Sequence, residues 1–207
     1  MCYQCKTKPV YEFTNQRKLC KNCFIRWFGK KFLYTVRKFN LVDFGDVVGY
    51  VGGTPGRIPK KGTRTCKQAS KNIPNNIFTR GSDFRSVVLE DCLRILKDKG
   101  RIEVVEGSKK VDKVAVSITI DLVSYEIINK LVNGDIKRMK ISPVEGKIIK
   151  PLFLFLDEEV LLYCELKGLK FKEKKEGKDK ISKFIDELEK KHPEVKQAVV
   201  KGMLKLS

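Results

Sequence analysis

Histidine is nearly absent from this chain of 207 residues: His192 stands alone, immediately before Pro193. Nucleophilic catalysis by a Cys/His or Ser/His pair would therefore have to run through a position that reads as a helix boundary, and that chemistry is set aside. Long apolar runs are also missing. The longest, Pro151 to Leu156 with its continuation Val160 to Cys164, is broken by Asp157, Glu158 and Glu159, so no segment has the length that crosses a bilayer. Acidic residues are in short supply, with 25 Asp and Glu against 44 Lys and Arg, for a net charge of +19 and a pI near 9.6. A polyanion gains from such an excess by releasing its counterions, so nucleic acid is the first partner to expect. The plainer alternative is a generally lysine-rich sequence, for many lysines lie in mixed-charge stretches such as 170–180. The chain opens without a secretory signal, and the expected setting is the reducing cytoplasm.

What is present is enough apolar sequence, 42% of residues, for a real core. Four cysteines, Cys2, Cys5, Cys20 and Cys23, fall as CxxC, fourteen intervening residues, then CxxC. Two sulfurs from each tight turn complete a tetrahedron with no vacancy for water or substrate, so a structural zinc ion is expected. Two disulfides or four unrelated buried thiols are the competing readings.

Phe24, Phe28, Phe32 and Phe39 share one stripe of a helix that follows, with Arg26, Lys30 and Arg37 on the opposite face. That face suits RNA phosphates and equally suits water. Val47 to Val51 reads as a strand entering the turn Gly52-Gly53-Thr54-Pro55-Gly56, and residues 57–82 read as a long, basic, exposed loop. Helices are expected around Val87–Leu96, from Asp121 to Asn133-Gly134, over Glu158–Lys167, through Ile181–Leu188, and again through Val195–Leu204. Strands are expected at Lys113–Ile118 and Ile148–Leu156. The alternation predicts an α/β fold with a parallel sheet, divided into a finger and basic helix over 1–40 and an α/β domain over 41–207 with a helical C-terminal section.

Three segments in order resemble the tRNA 2-thiolation family of PP-loop ATPases. The N-terminal Cys2-x-x-Cys5 through Leu19-Cys20-Lys21-Asn22-Cys23-Phe24 is similar to the family's first zinc finger. Lys150-Pro151-Leu152 with Glu158-Glu159-Val160 to Gly168-Leu169 is similar to its KPL, acidic, EVxLYAxLKGL stretch. Phe184 to Pro193 is similar to its FLNELEEKHP segment. The resemblance implies a reduced PP-loop-like domain, a role in converting the wobble uridine of tRNA to 2-thiouridine, and tRNA as a partner.

Departures from the family pattern fall on its ATP machinery. Where active members read SGGKDS, this chain has Val51-Gly52-Gly53-Thr54-Pro55-Gly56; where they read GHNLDDEAQ, it has Ser117 to Val123, with Asp121 alone remaining of the acidic set. Gly52, Gly53, Thr54 and Asp121 are what is left of the nucleotide site, so ATP binding is in doubt. Outside the first four cysteines, only Cys66, Cys92 and Cys164 remain. None forms a CxxC, and no cysteine lies between Phe171 and Lys180, so an iron–sulfur cluster is not expected. Cys92 and Cys164 read as buried small hydrophobes. Cys66, beside Arg64 and Lys67, is the one candidate reactive thiol. The pattern resembles the family's degenerate, non-catalytic subunit, which implies a catalytic paralogue and a sulfur-carrier protein as further partners. A divergent active sulfurtransferase and an unrelated zinc-ribbon RNA-binding protein remain as alternatives.

Overall fold

The computed structural model describes residues 1–50, 83–107, 110–135, 141–172 and 179–206. A minimal hairpin opens the chain, with β1 (Tyr11–Glu12) antiparallel to β2 (Lys18–Leu19). Helix α1 (Lys21–Lys38) follows directly. A five-stranded sheet then forms from β3 (Val47–Tyr50), β4 (Glu103–Glu106), β5 (Lys113–Ala115), β6 (Val144–Glu145) and β7 (Ile148–Ile149), in the order β4-β3-β5-β7-β6. All neighbours are parallel except the β6–β7 edge pair. The remaining described helices are α2 (Phe84–Asp98), α3 (Ile120–Val132), α4 (Asp157–Lys167), α5 (Lys180–Lys191) and α6 (Val195–Leu206).

Strand alternation divides the apolar residues between two cores, because successive side chains leave a sheet on opposite faces. Val48, Ala115 and Ile149 enter one core with Phe24, Phe28 and Phe32 of α1, Leu89 and Leu93 of α2, and Val160 and Tyr163 of α4. Val116 and Ile148 enter the other, with Val123 and Ile127 of α3 and Val200 of α6. Helices thus cover both faces, as parallel strands buried on both sides require. The N-terminal cysteine segment belongs to the first core, where Cys2, Leu19 and Cys20 pack with α1.

Two strands are shorter than their sequence predicts. β5 ends at Ala115, and β7 ends at Ile149 instead of running on to Leu156. Residues after Ile149 turn twice, with Phe153 N donating to Lys150 O (3.1 Å) and Phe155 N to Leu152 O (2.9 Å). The turns send Phe153 into the α3 and α6 core while Leu152 and Phe155 enter the other, whereas a continuous strand would have set Phe153 and Phe155 on the same face.

The passage from β4 to β5 is unusually short. Its described ends continue the pairing with β3 on either side, Gly107 N donating to Tyr50 O (3.0 Å) and Asp112 N to Val47 O (2.9 Å). A Cβ at Gly49 would stand 2.2 Å from Gly107 O and 3.1 Å from Val111 Cγ1. Glycine at this position lets Gly107 and Val111 lie close against the central strand.

Candidate functional site

Two constellations carry chemistry. The first is the cysteine knob. Lys6 adopts a left-handed conformation (φ 60°) between the first pair of cysteines and Thr7, and Cys2 N donates to Thr7 O (2.8 Å), closing the first CxxC turn. The second CxxC straddles the start of α1, where Cys20 is the N-cap and Cys23 lies in the first turn. That helix end offers unpaired N–H groups and a partial positive charge to thiolates. All four Sγ atoms converge within 4.8 Å of one another, with Cys5 and Cys20 3.3 Å apart and Cys5 and Cys23 3.7 Å apart. All four are free thiols. Hydrogen bonds with Thr7 and the neighbouring cysteines pull Cys20 down to about 6, whereas burial and the adjoining thiols push Cys23 up to about 12. Four thiolates this close repel one another unless a cation neutralises them, so the donor set fits a metal centre.

Tyr11, Phe13, Phe24 and Trp27 fasten this knob to α1. Their rings meet edge-on or tilted at 4.9–5.4 Å, except for the looser stack of Tyr11 on Trp27 at 6.2 Å. On the outer side of α1, Arg26, Lys30 and Arg37 are all exposed.

The second constellation lies at the carboxyl ends of the parallel strands. β3 sits between β4 and β5, so the chain leaves it toward one side and later returns on the other, and the crevice between β3 and β5 is the switch point where ligands of open α/β sheets bind. The N-termini of α2, α3 and α4 meet there. Asp83 caps α2 by accepting from Ser86 N (2.8 Å). Arg85 donates to both carboxylate oxygens of Asp157, from Nε at 2.7 Å and Nη2 at 2.5 Å. Thr119 donates to Asp157 Oδ1 (2.7 Å), and the Ser86 and Ser117 hydroxyls lie 3.2 Å apart. Asp121 accepts from Asp157 N (2.7 Å) through one oxygen and from Lys196 Nζ (2.6 Å) through the other. Lys196 also reaches Glu189 (2.6 Å), which brings α5 and α6 to the same point. Burial, reinforced by the charge of Asp157, raises Asp121 above the usual carboxylate range against the pull of Lys196.

Of the residues singled out in sequence, the fold brings Cys2, Cys5, Cys20 and Cys23 together and sets Asp121 in the crevice. Gly52, Gly53, Thr54 and Cys66, with the loop 57–82, lie outside the described residues. Cys92 and Cys164 are fully buried, as small hydrophobes. The sequence reading found one acidic residue here and missed its companion: Asp157 reads as a charge interrupting an apolar run, and only the fold sets it against Asp121. Arg85 and Lys196 carried no signal in sequence.

Comparison with solved structures finds similarity to the U34-tRNA thiolase NcsA from Methanococcus maripaludis, solved with its [4Fe-4S] cluster. The TM-score is 0.61 at 20% sequence identity, covering 99% of this chain and 86% of that one. This likeness shows the fold. The expected α/β architecture with a parallel-sheet core and an N-terminal four-cysteine cluster is thereby met. No protein-family model matches the chain, and no curated protein does. The cofactor expectation is corrected. A protein of the same fold carries a [4Fe-4S] cluster, and four convergent thiolates serve iron–sulfur as readily as zinc, so neither the assignment to zinc nor the exclusion of an iron–sulfur cluster stands. No described helix is long and apolar enough to cross a membrane.

Proposed function

We propose that this chain serves wobble-uridine 2-thiolation of tRNA in the cytoplasm, as a tRNA-binding, non-catalytic subunit working beside a catalytic paralogue and a sulfur-carrier protein. The observation that carries the non-catalytic part is the state of the crevice. A magnesium–nucleotide site needs carboxylates free to meet the metal; here Asp157 is held by Arg85 and Thr119, and Asp121 by Lys196 and the Asp157 amide. Among the described residues, no buried side-chain nitrogen or oxygen lacks a partner that a ligand would supply. The fold likeness to a U34-tRNA thiolase and the three ordered sequence matches support the pathway.

In this reading residues 1–40 form a finger and basic helix, with 41–207 as the degenerate domain. Cys2, Cys5, Cys20 and Cys23 hold a metal centre that fixes the knob on α1, and Arg26, Lys30 and Arg37 contact tRNA phosphates. Deleting the gene should abolish or sharply lower 2-thiouridine in bulk tRNA, and the purified chain should bind tRNA without releasing pyrophosphate in its presence. Pyrophosphate released by this chain alone, dependent on tRNA, would replace the subunit reading with that of an active enzyme. Unchanged 2-thiouridine after deletion would end the thiolation reading altogether.

A further inference from the structure

Arg37 and Lys38 lie in the last turn of α1, where cations suit the helix dipole, but the rest of its outward face carries features that neither core packing nor helix stability explains. The helix holds six cationic side chains, Lys21, Arg26, Lys30, Lys31, Arg37 and Lys38, and no acidic one. Lys31 turns inward to Glu159, while the other five are exposed. Surface helices ordinarily intersperse both signs, because like charges one turn apart repel. Within this face stands Tyr34, 52% exposed. Measured from Arg26 at 100° per residue, Arg37 and Lys30 fall within about 40°, Tyr34 at about 80°, and Gly29 about 60° the other way. The ammonium of Lys38 lies over the Tyr34 ring, 5.6 Å from its centroid, and so adds a cation beside the aromatic surface.

Gly29 adds an independent observation. Glycine in a helix interior is less favourable than alanine, and close packing is its usual reason; here a Cβ would meet nothing within 4 Å. Among the described residues, nothing occupies the space that a side chain here would take. The glycine leaves room for a partner to come down onto the helix backbone beside Arg26 and Lys30.

We infer that the outer face of α1 is a platform for unpaired RNA, with a nucleobase stacked on Tyr34, its sugar–phosphate strand tracking Arg26, Lys30 and Arg37, and the strand lying close over Gly29. The inference rests on the tRNA-binding reading and deepens it. Stacking accepts any base with an exposed face, which a loop offers and a continuous duplex does not. The opposite face is anchored through Phe24, Phe28 and Phe32, all fully buried, so the platform is rigid before RNA arrives.

Two RNA probes test this on the full-length protein: a hairpin with an unpaired loop, and the same stem closed into an uninterrupted duplex. Tyr34→Ala should weaken hairpin binding about tenfold while leaving duplex binding unchanged, and Tyr34→Phe should retain wild-type affinity because the stacking face survives. Gly29→Ala should raise the thermal midpoint of the free protein yet weaken the hairpin several-fold, a combination that damage to the fold cannot produce. If the chain binds tRNA and hairpin but neither Tyr34→Ala nor Gly29→Ala alters the affinity, the platform is refuted and the tRNA-binding reading survives. If wild-type protein binds neither tRNA nor hairpin, both fall.

Discussion

Lys31 Nζ lies 2.6 Å from Glu159 Oε2, joining the middle of α1 to the first turn of α4 inside the core. Glu159 also accepts from Leu156 N at 3.0 Å, so one carboxylate caps α4 and holds α1. Lys31 sits over the rings of Trp27 and Phe155, at 4.9 and 4.7 Å from their centroids. Next to this pair Phe28 stacks on Tyr163 with centroids 4.0 Å apart. The helix that bears the cysteine knob and the basic face is thus tied to the sheet domain by charge as well as by apolar contact.

Removing one member of that pair strands the other. The side chain of Glu159 is only 4% exposed, and an uncompensated buried charge costs about 3–5 kcal/mol. Lys31→Met should therefore lower the urea midpoint substantially. The double change Lys31→Met with Glu159→Gln should recover most of the loss, since an uncharged amide is far less costly to bury. A double variant no more stable than the single one would show that α1 docks through its aromatic contacts alone.

Gly49→Ala tests the short crossover. The added methyl meets a backbone oxygen, Gly107 O at 2.2 Å, which has no rotamer through which to yield. Overpacking of this kind costs about 1–3 kcal/mol, and a clash with backbone belongs at the upper end. Thermal unfolding should show a clear drop, whereas Gly202→Ala, where a Cβ meets nothing within 4 Å, should be neutral or stabilising.

The helices were legible because burial follows a period of about 3.6 residues: Phe24, Phe28 and Phe32 mark α1, and Leu89, Leu93 and Leu96 mark α2, in the sequence itself. The short strands were not. β1, β2 and β6 have two residues each, too few to show alternation, and β4 is an edge strand with three of its four residues exposed. The thiol cluster was readable because ligand spacing is local in sequence. The crevice was not, because Asp121 meets Asp157 across 36 positions and Lys196 across 75, and nothing local in sequence specifies such a meeting.

The cysteine knob yields a metal-content test. Cys20→Ser removes one thiolate from the set whose sulfurs lie within 4.8 Å of one another, and it should empty the centre and expose residues 1–20 to protease, because metal affinity in such a knob is folding energy. Cys92→Ser changes a thiol fully buried in the core, away from the cluster; it should cost stability and leave the metal content of the purified protein unchanged. Equal metal content in Cys20→Ser and wild-type protein would dismiss the four-thiolate centre.

Lys196 should matter more at neutral pH than in acid. Asp121 is raised above its ordinary 3.8 by burial and by Asp157, with Lys196 opposing both. A carboxyl whose folded value is raised contributes stability that is complete below 3.8 and is lost as pH climbs through the folded value. Lys196→Met takes away the opposing cation, so Asp121 should rise further and more stability should be lost above that point. Below 3.8 Asp121 is protonated in wild type and variant alike, and the part of the penalty that comes from its charge disappears. Denaturant midpoints measured from about pH 7 down to about pH 3 should therefore converge for the two proteins. A gap that stays constant over the whole range would mean that Lys196 acts through the packing of α6 rather than through a carboxylate charge.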